Sequence, residues 1–136
     1  MPGTTDLKEL LQHLKPELHP GDFVFASLTD TSSLNWEDIL GSFKEKESTT
    51  VILEREKADA LHLKYEFIAA WITLNVHSSL NAVGLTAAFS NTLAKHNISC
   101  NVVAGYYHDH IFVDKENADK AMEALLQLTN TKNTTP

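Results

Sequence analysis

The chain has 136 residues, a length that suits one compact unit or two small interlocked halves, and at this size folding needs neither a disulfide nor a metal. Apolar residues make up 43% of it, a normal globular share, and no apolar run approaches the ~18 residues of a membrane span. A net charge of −7 with no cluster of Lys and Arg argues against nucleic acid, where neutralised phosphates dominate binding, and against an anionic membrane surface.

Residues 6–14 set Leu7, Leu10, Leu11 and Leu14 at helical spacing, so an amphipathic helix is expected, capped by Thr5 or Asp6. Pro16, Pro20 and Gly21 break that pattern. Residues 22–29 (DFVFASLT) read as a strand, 30–35 as a polar loop, 36–43 as a short helix and 49–53 (TTVIL) as a second strand. The charged stretch 54–59 is expected to be solvated, and Trp36 and Trp71 to be core residues.

Residues 65–76 (YEFIAAWITLNV) read as a long central strand or a bent pair, with Ile72, Leu74 and Val76 on one face and Trp71, Thr73 and Asn75 on the other. A helix follows over 81–96, striped by Leu85, Ala88, Phe89, Thr92 and Leu93, with Asn97 as its left-handed stop. Strands 99–107 and 111–113 join near His108 and Asp109. A last helix starts near Asn117 and repeats Ala118, Ala121, Met122, Leu125 and Leu126 at helical spacing, ahead of a polar tail.

The order from residue 65 is therefore β-α-β-β-α, one strand short of the ferredoxin-like plan. The polar tail cannot supply that strand. The N-terminal half, which opens with a helix and a strand, is expected to supply the missing edge, so that the halves interlock. The fold class is α+β, with antiparallel sheets and helices packed on one face. The division expected is 1–64 and 65–136.

Cys100 is the only cysteine, which fits a reducing compartment, and no cation beside it argues for a reactive thiolate. Residues 1–6 lack the basic and apolar regions of a secretory signal, so a cytoplasmic location is expected.

Residues 71–76 form an apolar strand, then come the polar turn His77-Ser78-Ser79-Leu80-Asn81, Gly84 opening a helix, the stop Lys95-His96-Asn97-Ile98, and the strand 99–105. This run resembles the ACT domain family. The segment VHSSLNAVGLTAAFSNTLAKHNISCNVVAGYYHDHIFV is similar to a group of small bacterial proteins with tandem ACT-like halves. The match covers roughly residues 66–128, and the N-terminal half fits more loosely. The resemblance implies two interlocked ACT-type halves. It also implies a regulatory role in which an amino acid binds at an interface between units and the signal passes to a partner. No attached catalytic domain is expected, so the output is expected to run through a separate protein.

Two clusters are candidates for a site. In the turn 77–84, backbone N–H groups at a helix start favour a carboxylate or phosphate. His77, Ser78, Ser79, Leu80 and Asn81 lie around that point, and Gly84 permits close approach. A plain Ser/Asn helix cap accounts for the same residues. In the second cluster, strand alternation would put His108 and His110 on one face with Tyr106, beside Asp109. Two imidazoles and a carboxylate are competent metal ligands, joined by His77 if the fold brings it close; a polar hairpin turn, or the lining of an organic ligand pocket, is the simpler account of them. No Walker loop, GxSxG elbow, HExxH or GxGxxG occurs.

The reading is a non-enzymatic regulatory module binding an amino-acid-type ligand through His77, Ser78, Ser79, Leu80, Asn81, Gly84, His108, Asp109 and His110. It has no cofactor or metal, and is expected to form a homodimer. The alternatives are an interaction protein that uses its ACT surfaces only to dimerise, and a small metal-dependent enzyme.

Overall fold

The computed structural model describes residues 11–75 and 84–130. In chain order its strands and helices are β1 (Pro16–Leu18), β2 (Phe23–Leu28), β3 (Ile39–Lys44), β4 (Thr49–Glu54), α1 (Arg55–Ala60), β5 (Ala69–Leu74), α2 (Leu85–Lys95), β6 (Cys100–Ala104), β7 (Asp109–Asp114) and α3 (Ala118–Asn130). Two compact units emerge: a continuous one, Pro20–Ala70, and a split one made of the chain up to His19 and from Trp71 onward. The predicted helix over 6–14 is described only at its end, where Leu11 and Gln12 are helical.

In the continuous unit β2 pairs antiparallel with β4, Val24 opposite Leu53 and Ala26 opposite Val51. These four alternate onto one face and are buried there with Leu34 and with Ala58 of α1. The stretch 54–59 is thus not simply solvated: Ala58 is fully buried, and its burial folds the charged segment into α1. The expected helix over 36–43 is also corrected. The Asn35 carboxamide oxygen accepts from the Glu37 N–H at 3.2 Å and starts a single 3-10 turn, Trp36–Asp38. The following residues pair with β4 as β3, with a bulge between Ile39 and Gly41. That geometry leaves Trp36 51% exposed, on the surface rather than in the core.

The split unit borrows its edge from the chain's beginning, as the interlocked plan requires. β1 pairs antiparallel with β5, Pro16 opposite Leu74 and Leu18 opposite Ile72, and β6 pairs with β7. The strand predicted over 65–76 starts only at Ala69, because residues 63–68 are held by side-chain contacts described below. Ile72 and Leu74 of β5 and Ile111 and Val113 of β7 are fully buried, as are Phe89 and Leu93 of α2 and Ala121 and Leu125 of α3. Burying a valine, leucine, isoleucine or phenylalanine side chain contributes about 1.5–3 kcal/mol. α3 packs against α2, β1 and β7. Its buried stripe is Ala118, Ala121, Ala124 and Leu125, while Leu126 is 47% exposed.

Asn97 ends α2 in the left-handed conformation expected of it, at φ 60°. The Ile98 N–H donates to the Leu93 carbonyl and the Asn97 N–H to the Ala94 carbonyl, both at 2.9 Å, which closes the helix as a Schellman motif with Ile98 buried beneath it.

Candidate functional site

Strand alternation makes the site. On β5, Ile72 and Leu74 point to the buried side, so Trp71 and Thr73 point to the other. The antiparallel register sets Glu17 opposite Thr73. One residue further, the His19 N–H donates to the Trp71 carbonyl at 2.9 Å, so His19 lies beside Trp71. Its imidazole stacks on the indole with ring centroids 3.6 Å apart. On β7 the same alternation frees His110 and Phe112 from the face of Ile111 and Val113.

Four side chains then meet. The Trp71 Nε1–H donates to His110 Nδ1 at 3.1 Å. Thr73 is only 4% exposed, and its hydroxyl lies 3.0 Å from His110 Nδ1 and 2.7 Å from His19 Nε2. An indole N–H can only donate, so His110 Nδ1 is an acceptor and the neutral ring carries its proton on Nε2. If Thr73 shares that acceptor with Trp71, its own oxygen accepts from His19 Nε2–H, and each of the four side chains has a partner in the group. Indeed no buried side-chain nitrogen or oxygen among the described residues lacks a partner. Glu17 borders the group, its carboxylate 4.0 Å from His19 Nδ1 and accepting from Asn75 Nδ2–H at 3.0 Å.

The electrostatics agree with this proton placement. Burial holds the His110 imidazole below the ordinary histidine value, and His108 and His19 push the same way against the pull of Asp109. Burial also raises the Asp109 carboxyl, against His110 and His108.

The sequence-predicted residues distribute unevenly around this centre. His77, Ser78, Ser79, Leu80 and Asn81 lie outside the described residues. Gly84 precedes α2 at φ 93°, a left-handed conformation that is a sufficient reason for glycine without any ligand. His110 is in the cluster, and Asp109 begins β7 beside it. His108 is exposed and belongs to the turn that joins β6 to β7, where the Gly105 N–H donates to the His108 carbonyl at 2.9 Å. The expected strand face of Tyr106, His108 and His110 is therefore broken by that turn. The rings of His108 and His110 stand edge to face with centroids 6.4 Å apart, and Tyr106 is 94% exposed. A side chain on Gly105 would meet the His110 ring, since a Cβ there falls 3.2 Å from Nε2.

One participant, His19, carried no sequence signal, and nothing in the sequence paired it with Thr73. His19 and Thr73 are 54 residues apart, and only the β1–β5 register joins them. Trp71 and Thr73 were legible only as the face of β5 opposite the apolar one.

Chemically, the cluster is an internally bonded polar network. Thr73 is too buried to attack a substrate, although two imidazoles flank it. Among the described residues no group of three His, Cys, Asp or Glu side chains is placed to hold a metal ion. Cys100 is half-buried, and burial pushes its thiol up, away from thiolate chemistry. No helix among the described residues is long and apolar enough to cross a membrane.

Residues 2–70 match one family model of the ACT domain, and residues 66–127 match another. The chain is 47% identical to a Vibrio cholerae protein of unknown function, described as a possible transport protein, whose crystal structure superposes with a TM-score of 0.82 over 90% of this chain and 95% of that one. A protein from Agrobacterium tumefaciens superposes at a TM-score of 0.70 and 12% identity, over 85% of this chain and 89% of that one. The ligand-free regulatory subunit of aspartate kinase from Thermus thermophilus does so at 0.61 and 9% identity, over 85% of this chain and 98% of that one; at such identities the likeness is one of fold. No protein of curated function matches.

Proposed function

Since the chain belongs to the ACT domain family, we propose that it is a regulatory module that binds a small amino-acid-type ligand and has no catalytic activity of its own. The observation that carries this reading is the succession of two ACT-domain matches over residues 2–127. The fold likeness to a regulatory subunit supports it. The repeat is proposed to divide the chain at 64/65, and the signal to pass to a separate cytoplasmic protein.

The ligand carboxylate is assigned to the helix start after the turn 77–84, where free N–H groups and the helix dipole favour an anion. Asp109 is assigned to the ligand ammonium, with His108 and His110 lining the site. The test is a thermal-shift screen against the common amino acids, in which a ligand at 100 times its Kd adds about 2.7 kcal/mol.

Gly84→Asn is the informative variant, because Asn tolerates the left-handed conformation that Val does not. We expect it to retain the fold and to weaken the amino acid found in the screen about tenfold, because its side chain blocks the close approach that glycine permits. Unchanged affinity would put the ligand elsewhere.

A homodimer is part of the same proposal. Among the described residues β6 pairs only with β7, and its Val102 and Val103 are 37% and 41% exposed. An edge of this kind invites pairing with a second copy. Light scattering should give twice the chain mass, and a monomer at every micromolar concentration would refute the dimer. If the protein dimerises but no amino acid raises its stability, the reading becomes that of an interaction protein.

A further inference from the structure

The continuous unit carries a groove that the reading above does not use. β2 turns Val24 and Ala26 toward α1, so Phe25 and Ser27 point to the opposite face, where the register sets Ile52 opposite Phe25 and Thr50 opposite Ser27. The chain after α1 returns to this face. Its course is fixed by Tyr65, whose hydroxyl accepts from Arg55 Nε–H at 3.0 Å and donates to Asp59 at 2.9 Å. Phe67 then stacks on Phe25, ring centroids 5.7 Å apart and planes 24° from parallel. The space enclosed is a groove of about 530 Å³ lined by Phe25, Ser27, Thr50, Lys64, Glu66 and Phe67, among others. That volume falls in the ordinary range for small-molecule sites, which combine an apolar wall with a few polar groups.

The chemistry of the lining is specific. Phe25 and Phe67 form an aromatic wall, and Phe67 is 36% exposed. Lys64 and Glu66, one cation and one anion two residues apart, border the groove, and neither is in an ion pair among the described residues. We infer that this groove binds a small zwitterion with an aromatic body. The aromatic ring lies against Phe25 and Phe67, the carboxylate is held by Lys64 and the ammonium by Glu66. The site lies wholly within Pro20–Ala70.

The test is calorimetric titration of the full chain with L-phenylalanine. Saturable binding is expected at millimolar concentration or below. 3-Phenylpropionate, which lacks the ammonium, and 2-phenylethylamine, which lacks the carboxylate, should each bind about tenfold weaker or less, the scale of one lost charge-assisted bond. Lys64→Met and Phe67→Ser lie at exposed positions and should retain the wild-type circular dichroism, while each weakens L-phenylalanine about tenfold. No binding by the wild-type chain at millimolar L-phenylalanine would overturn the inference. So would affinity unchanged in both variants but lost in Gly84→Asn, which assigns the ligand to the other site. Loss in Lys64→Met and Phe67→Ser with Gly84→Asn unaffected supports the groove, whatever the screen finds at the turn.

Discussion

Phe89→Ala is expected to destabilise the protein by about 3–5 kcal/mol, read as a fall in the urea midpoint. Phe89 is fully buried at the centre of α2, between Leu85 and Leu93 on the same stripe. Truncation removes its transfer free energy and leaves a cavity that close-packed neighbours cannot fill. Marginal stability is about 5–15 kcal/mol, so the loss is a large share of the whole. Thr86→Ala, on the exposed side of the same helix, should change stability by less than about 0.5 kcal/mol. Similar midpoints for the two variants would mean that α2 is not packed as described.

The second large effect is expected at Thr73. Thr73→Val keeps the shape and removes the hydroxyl that both His19 and His110 meet. His110 Nδ1 keeps the Trp71 N–H, but His19 Nε2 loses its partner in a half-buried position. The cost should be about 1–3 kcal/mol, and Thr73→Ser, which restores the hydroxyl, should recover most of it.

The same cluster sets a pH dependence. The folded His110 value lies below the ordinary ~6.5 of the unfolded chain, so between the two the unfolded state binds more protons. Stability should therefore fall as pH drops through about 6.5 and level off below the folded value. Asp109 acts with opposite sign and lower down: its raised value makes stability fall as pH rises from about 3.9. His110→Asn supplies an acceptor oxygen near the Nδ1 position and does not titrate. If its stability retains the wild-type slope near pH 6, the titrating group is another histidine.

What could be read from the sequence follows from which signals are local. The stripes of α2 and α3 repeat within one helix, and the stop at Asn97 is a property of single residues, so both were legible, although in α3 the stripe takes in Ala124 and leaves Leu126 exposed. The missing edge of the split unit was legible too, because counting strands against the ferredoxin-like plan leaves one to find. Residues 36–43 misled because helical spacing of apolar residues competes with a ladder to β4 that only the fold reveals. Residues 54–59 misled because one buried alanine outweighs five charged neighbours. In the site, His110 and Asp109 stood out by composition. His19 and Thr73 did not, since a lone histidine and a lone threonine acquire meaning only once β1 lies along β5.

That pairing has a kinetic consequence. As the chain emerges from the ribosome, β1 must wait for a partner some fifty residues behind it. Closing a floppy loop of that length would cost about 3.5 kcal/mol beyond the constant for the first contact, from the logarithmic law. The intervening segment does not stay floppy. Pro20–Ala70 is contiguous, and its own pairing sets Phe23 opposite Ala69. Once that segment folds, His19 and Trp71 are only a few residues from a closed pair, and β1 and β5 zip from there. The continuous unit thus serves as an assembly clip. Lesions in its core, such as at Leu53, should slow the recruitment of β1 even though they lie outside the strands being joined.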